Sequence, residues 1–91
     1  MPEEVLFEFE ADQSRQEIAN YLRTVAEKLD TGGPITVEAG EDSITLDPPA
    51  TTEFEVKVER EGAANEPGEM SIEFELEWAE GSDERRQLDI E

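Results

Sequence analysis

Residues 70–78 read MSIEFELEW. In an extended chain successive side chains point to opposite faces. Met70, Ile72, Phe74, Leu76 and Trp78 therefore share one face, and Ser71, Glu73, Glu75 and Glu77 share the other. This is the pattern of a half-buried strand with one apolar and one carboxylate face. Residues 54–59, FEVKVE, repeat it, with Phe54, Val56 and Val58 in the apolar row. The stretch between, residues 62–69, is GAANEPGE and suits a hairpin loop. A side-chain period of two forces apolar residues to face apolar residues across the pair. The alignment then sets Val58 by Ile72, Val56 by Phe74 and Phe54 by Leu76, and it leaves Lys57 among Glu73 and Glu75.

That carboxylate row belongs to a wider excess. The chain has 91 residues, with 26 Asp and Glu against 7 Lys and Arg, for a net charge of −19. Lys28 and Lys57 are its two lysines. Repulsion of this size destabilises a compact state in dilute buffer. High net charge with low hydrophobicity is also a signature of disorder, but the strand and helix periodicities argue for a folded chain. Acids are spread along the whole chain, which fits a surface made for molar salt better than a local mimic of nucleic acid. In 1 M salt the Debye length is about 3 Å, and neighbouring carboxylates barely repel.

Upstream, residues 5–10, VLFEFE, alternate as a strand with Val5, Phe7 and Phe9 inward. Ile18, Leu22, Val25 and Leu29 then follow at helical steps and form one stripe. Ser14 with Glu17 three residues later fits a capping box, with Asp12 as a rival cap. The helix is expected from Ser14 to about Asp30, stopped by Gly32 and Gly33 and barred from resuming by Pro34. ITVEA and SITLD, residues 35–39 and 43–47, form two short strands about a turn at Gly40, Glu41 and Asp42, and Pro48-Pro49 ends them. The expected fold is α+β: a mostly antiparallel sheet of about five strands with one α-helix on one face, in the order β-α-β-β-β-β. Residues 1–79 make one domain, and residues 80–91 form a polar tail.

This order of elements resembles the amphi-Trp domain family as found in haloarchaea. The resemblance rests on the capped helix, the short hairpin, TLDPPA, FEVKVEREG and SIEFELEW, with Trp78 closing the amphipathic strand. It spans residues 3–78. The resemblance implies a fold and a salt-adapted source, and it implies no defined activity, cofactor or catalytic residue.

The residue inventory points away from an enzyme. There is no histidine and no cysteine, so histidine bases, thiolate nucleophiles, thiolate metal sites and disulfides are excluded. Carboxylate pairs are expected by chance among 26 acids. Ser14 lacks a histidine or cysteine partner and reads as a cap. No glycine spacing fits a phosphate or dinucleotide loop. Residues 40–43, GEDS, lack the calcium-loop pattern and read as a turn. No catalytic residue, cofactor or metal is expected.

Nucleic acid is disfavoured, because a binder needs a basic face to displace counterions. No apolar run is long enough to span a membrane. The N-terminal residues lack a secretory pattern, so the cytoplasm is the expected compartment.

The candidate interaction residues are Trp78, Phe54, Leu76, Arg85 and Arg86. Trp78 keeps phase with the apolar row and so reads as core. Its second reading is an interface anchor. Arg85 and Arg86 either offset nearby acid or dock on a neighbouring copy. Five strands at about 4.8 Å spacing span about 19 Å between outer axes, wider than a helix of about 10–12 Å. The uncovered apolar surface predicts a homodimer. The expected role is a non-catalytic interaction or self-association module. A small-ligand or cation-binding protein, with a pocket lined by Phe54 and Trp78, and an acidic decoy for a basic partner are the alternatives.

Overall fold

The computed structural model describes residues 3–81 and residue 90. It holds one helix and four strands: α1 (Arg15–Thr31), β1 (Ile35–Ala39), β2 (Asp42–Leu46), β3 (Glu53–Glu61) and β4 (Glu69–Glu77). The α+β class holds. The single five-stranded sheet does not, because β1 pairs with β2 and β3 pairs with β4 in two separate two-stranded antiparallel sheets. The chain divides into two units at the Pro48–Pro49 boundary. Each strand finds its partner across a short connection. Pro48 and Pro49, which have no N–H to donate, interrupt any ladder that would run on from β2.

In the first unit α1 begins as the residues dictate. The Ser14 hydroxyl accepts the Glu17 backbone N–H at 3.1 Å, and the Glu17 carboxylate accepts the Ser14 backbone N–H at 3.4 Å. Two of the N–H groups that a helix start leaves unpaired are thereby satisfied. At the other end Gly32 adopts φ 75°, and its N–H reaches the Leu29 carbonyl at 3.3 Å. The Gly33 N–H reaches that of Lys28 at 3.1 Å. A Cβ at Gly32 meets no neighbour within 4 Å, so the requirement for glycine there is purely one of backbone conformation.

β1 and β2 are joined by a two-residue loop, since Ala39 pairs with Asp42. Ile35, Val37 and Ala39 alternate as half-buried residues along β1, opposite Ile44 and Leu46. On the exposed side the Thr36 and Thr45 hydroxyls are hydrogen-bonded at 2.8 Å. The helix lies against β1.

The strand expected over residues 5–10 is absent. Residues 3–14 carry no ladder, and Val5, Leu6 and Phe9 are all exposed. Alternation prepares a segment for a sheet, but a strand exists only when another strand takes up its backbone groups. No neighbour among the described residues does so here.

In the second unit β3 and β4 pair in the register that the alternation predicts: Phe54 opposite Leu76, Val56 opposite Phe74, and Val58 opposite Ile72. The loop between them is held by Arg60, whose guanidinium donates to the carbonyls of Gly62, Ala63 and Glu66. At its far end the backbone closes on Gly68, where a Cβ would lie 2.3 Å from the Glu61 carbonyl oxygen. No side chain fits in that space. The Arg60 clamp left no trace in the sequence pattern, because a single arginine in an acidic chain reads as a surface charge.

Two substitutions test the helix termini. Ser14→Ala is expected to cost about 1 kcal/mol by removal of the cap. Gly32→Ala is expected to cost about 1–2 kcal/mol through the left-handed backbone it must hold. Chemical denaturation in molar KCl measures both, and midpoints equal to that of the parent chain contradict the assignment.

Candidate functional site

The β3–β4 hairpin sorts its side chains more sharply than any other part of the described chain. On one face stand Phe54, Val56 and Val58 of β3 with Ile72, Phe74 and Leu76 of β4, followed by Met70 opposite Arg60. The Phe54 and Phe74 rings, diagonal neighbours in this register, stack with centroids 6.4 Å apart and planes 10° from parallel. Offset stacking of this kind adds to plain apolar burial. A two-stranded hairpin has no second layer of its own to cover such a row. Phe54 is 61% exposed, Ile72 59% and Phe74 54%. No described side chain anywhere is fully buried. The apolar row is thus a surface.

The opposite face is a carboxylate ladder. Glu53 stands across from Glu77, Glu55 from Glu75, and Glu61 from Glu69. Like charges directly opposite each other destabilise a strand pair. Lys57 faces Glu73, yet its ammonium pairs with Glu59 along its own strand at 2.9 Å. That hydrogen bond, with the charge of Glu59 and then Glu73, raises the Lys57 pKa. Glu75 has the converse environment: the facing Glu55, then Glu77, hold its carboxyl above the ordinary value. The two shifts act in opposite directions on folding. Lys57 supports the fold at every pH below its ordinary value of 10.5 and loses that effect as pH rises through its raised pKa. Glu75 binds its proton more tightly folded than unfolded. Its repulsion weakens the fold at neutral pH and is relieved as pH falls toward the ordinary value of 4.5.

Of the residues expected to make contacts, Phe54 and Leu76 are brought together as direct cross-strand partners. Trp78 is half-buried and lies one residue past the end of β4. Arg85 and Arg86 lie outside the described residues.

A cleft of about 720 Å³ is present, but it belongs to the first unit and contains neither Phe54 nor Trp78. Phe7 and Phe9 form one wall, Tyr21 and Val25 of α1 another, and Ile35 and Val37 of β1 a third. Lys28, Glu10 and Glu38 add charge to its lining. Of this lining, Phe7 and Phe9 belong to the N-terminal alternation and Val25 to the helical stripe, whereas Tyr21 carries no signal in either pattern. Among the described residues no cluster of three or more acids is placed to hold a metal ion. No helix among them is long and apolar enough to cross a membrane.

The carboxylate ladder makes a pH prediction. In dilute buffer the melting temperature rises as pH is lowered from neutral to about 5, above the ordinary carboxylate range. Glu75→Gln, which removes the charge facing Glu55, flattens that rise. Thermal melts followed by circular dichroism measure it, and a melting temperature that falls over the same interval contradicts the reading.

Neither a curated protein nor a solved structure matches the chain. A family model, that of the Amphi-Trp domain, matches residues 1–91. The amphipathic strand ahead of Trp78, its register with β3 and the match along all 91 residues lead to one assignment: the chain belongs to the Amphi-Trp domain family.

Proposed function

We propose that this chain is a non-catalytic, self-associating interaction module that works as a homodimer in concentrated salt, in the cytoplasm of a salt-accumulating archaeon. The observation that carries this reading is the apolar row of β3 and β4, whose large side chains are mostly more than half exposed. An exposed apolar patch larger than a few hundred Å² marks an interaction surface. The chain is also small, and small domains bury little of their own surface, so association is an economical way to complete a core. Salt acts twice in the same direction. It screens the facing glutamates, and ions excluded from the surface strengthen apolar association.

The first-unit cleft supports a second reading, a small-ligand carrier. Its volume lies within the range of about 300–1,000 Å³ common for ligand pockets, and aromatic and aliphatic side chains dominate its walls.

Light scattering in molar KCl tests the first reading. The expected mass is about twice the 10.2 kDa of one chain. A mass of 10.2 kDa at every concentration up to the solubility limit contradicts it.

A further inference from the structure

The self-association reading leaves open which surface two copies share, and the β3–β4 hairpin has two to offer. One is its strand edges, because among the described residues β3 and β4 each pair on one side only. The other is its apolar face. On that reading, we propose that two copies join face to face, apolar row against apolar row, with the two carboxylate ladders turned to opposite outer surfaces.

Charge and area both favour the face over the edge. Edge pairing sets a new strand about 4.8 Å from β3 or β4. Its outward row then comes to lie beside an existing one. Along β4 that row is Glu69, Ser71, Glu73, Glu75 and Glu77, so β4 against its copy places glutamate beside glutamate. Along β3 it is Glu53, Glu55, Lys57, Glu59 and Glu61, and an antiparallel copy centred on Lys57 sets Lys57 against Lys57, Glu55 against Glu59 and Glu53 against Glu61. In these alignments every pair of charged residues is a like-charge pair, and Ser71 is the one uncharged member of either row. Either edge arrangement also leaves the apolar row as exposed as before.

Face-to-face packing reverses both effects. Two sheets pack about 10 Å apart, and the carboxylates extend outward from each, so the ladders end about 20 Å from one another. That exceeds the Debye length of about 8–10 Å at ordinary ionic strength, and the two ladders no longer interact.

The area is sufficient for a second copy. Phe54, Val56, Val58, Met70, Ile72 and Phe74 are each more than half exposed. At about 150–250 Å² for a whole aromatic side chain and less for an aliphatic one, they present on the order of 600 Å². A standard interface takes about 800 Å² from each partner, and Leu76, the half-buried member of the row, and the Arg60 stem add to it. The row is self-complementary. An isologous two-fold contact needs the same patch on both subunits, and the stacked Phe54–Phe74 pair, toward the Leu76 end of the row, supplies an aromatic surface to each.

Site-directed cross-linking tests the arrangement in the full chain, which contains no cysteine of its own. Single substitutions Val56→Cys and Ile72→Cys mark the apolar face, and Lys57→Cys and Glu73→Cys mark the outward face. Each is treated with a short bis-maleimide in molar KCl, after circular dichroism shows that the parent fold is kept, and its mass is measured by light scattering. The expected result is a cross-linked dimer from Val56→Cys, Ile72→Cys or both, and none from the outward pair. Cross-linking at Lys57→Cys or Glu73→Cys places the strands edge to edge and overturns the proposal. A dimeric mass with no cross-linking at the apolar positions also overturns it, while the self-association reading stands. A monomeric mass for the parent chain overturns both. Should either apolar variant fail to fold, Met70→Cys, at the end of the same row, replaces it.

Discussion

The register between β3 and β4 is the constraint on which the rest depends. With Val56 opposite Phe74, a side-chain period of two sends every apolar residue of both strands to one face and nearly every charge to the other. A slip by one residue would set Glu55 and Glu75 among phenylalanines, so the register has no near competitor. The same pairing that gathers Phe54, Val58, Ile72 and Leu76 also brings Glu53, Glu55 and Glu61 against Glu77, Glu75 and Glu69. The apolar face and the repulsive face are consequences of a single alignment. Neither can be relieved without loss of the other.

This coupling explains why the charge is tolerable and what it does. One cation, Lys57, stands within the ladder, and it pairs with Glu59. The remaining carboxylates are left to the solvent. On the proposed reading, mobile ions serve there in place of lysines. Among the described residues no side chain is fully buried, so the apolar rows are too small to offset much repulsion by themselves. On the proposed reading, screening and association act on the same deficit from two sides.

Much of this was legible in the residues, and the failures have a common cause. The helix, its Ser14–Glu17 box and its Gly32 stop are local, set by atoms within a few residues, and they were read correctly. The β3–β4 register was legible for the same reason, since each partner lies just beyond one loop. The β1–β2 hairpin was legible as a pair of strands, but its turn is tighter than the expected Gly40, Glu41 and Asp42, because Asp42 joins β2 and pairs with Ala39. Residues 5–10 carry an equally good alternation but have no adjacent partner, and they remain without a ladder. Joining the two hairpins into one sheet is likewise a long-range matter, which strand alternation does not encode. The candidate contact residues divide along the same line. Phe54 and Leu76 meet because they share a hairpin. The pocket expected around Phe54 and Trp78 needed distant elements to converge, and the cleft instead lies among Phe7, Tyr21 and Ile35.

Membership of the Amphi-Trp domain family takes in both hairpins, since the family model matches residues 1–91. The central claim is that screening by electrolyte lets the β3–β4 register form. The direct measurement is the cooperative melting temperature at neutral pH, followed by circular dichroism from dilute buffer to molar KCl. The account predicts a steep rise with salt in the parent chain and a much shallower one in the double variant Glu55→Gln/Glu75→Gln. A parent chain that melts at the same temperature in dilute buffer as in molar KCl would contradict it.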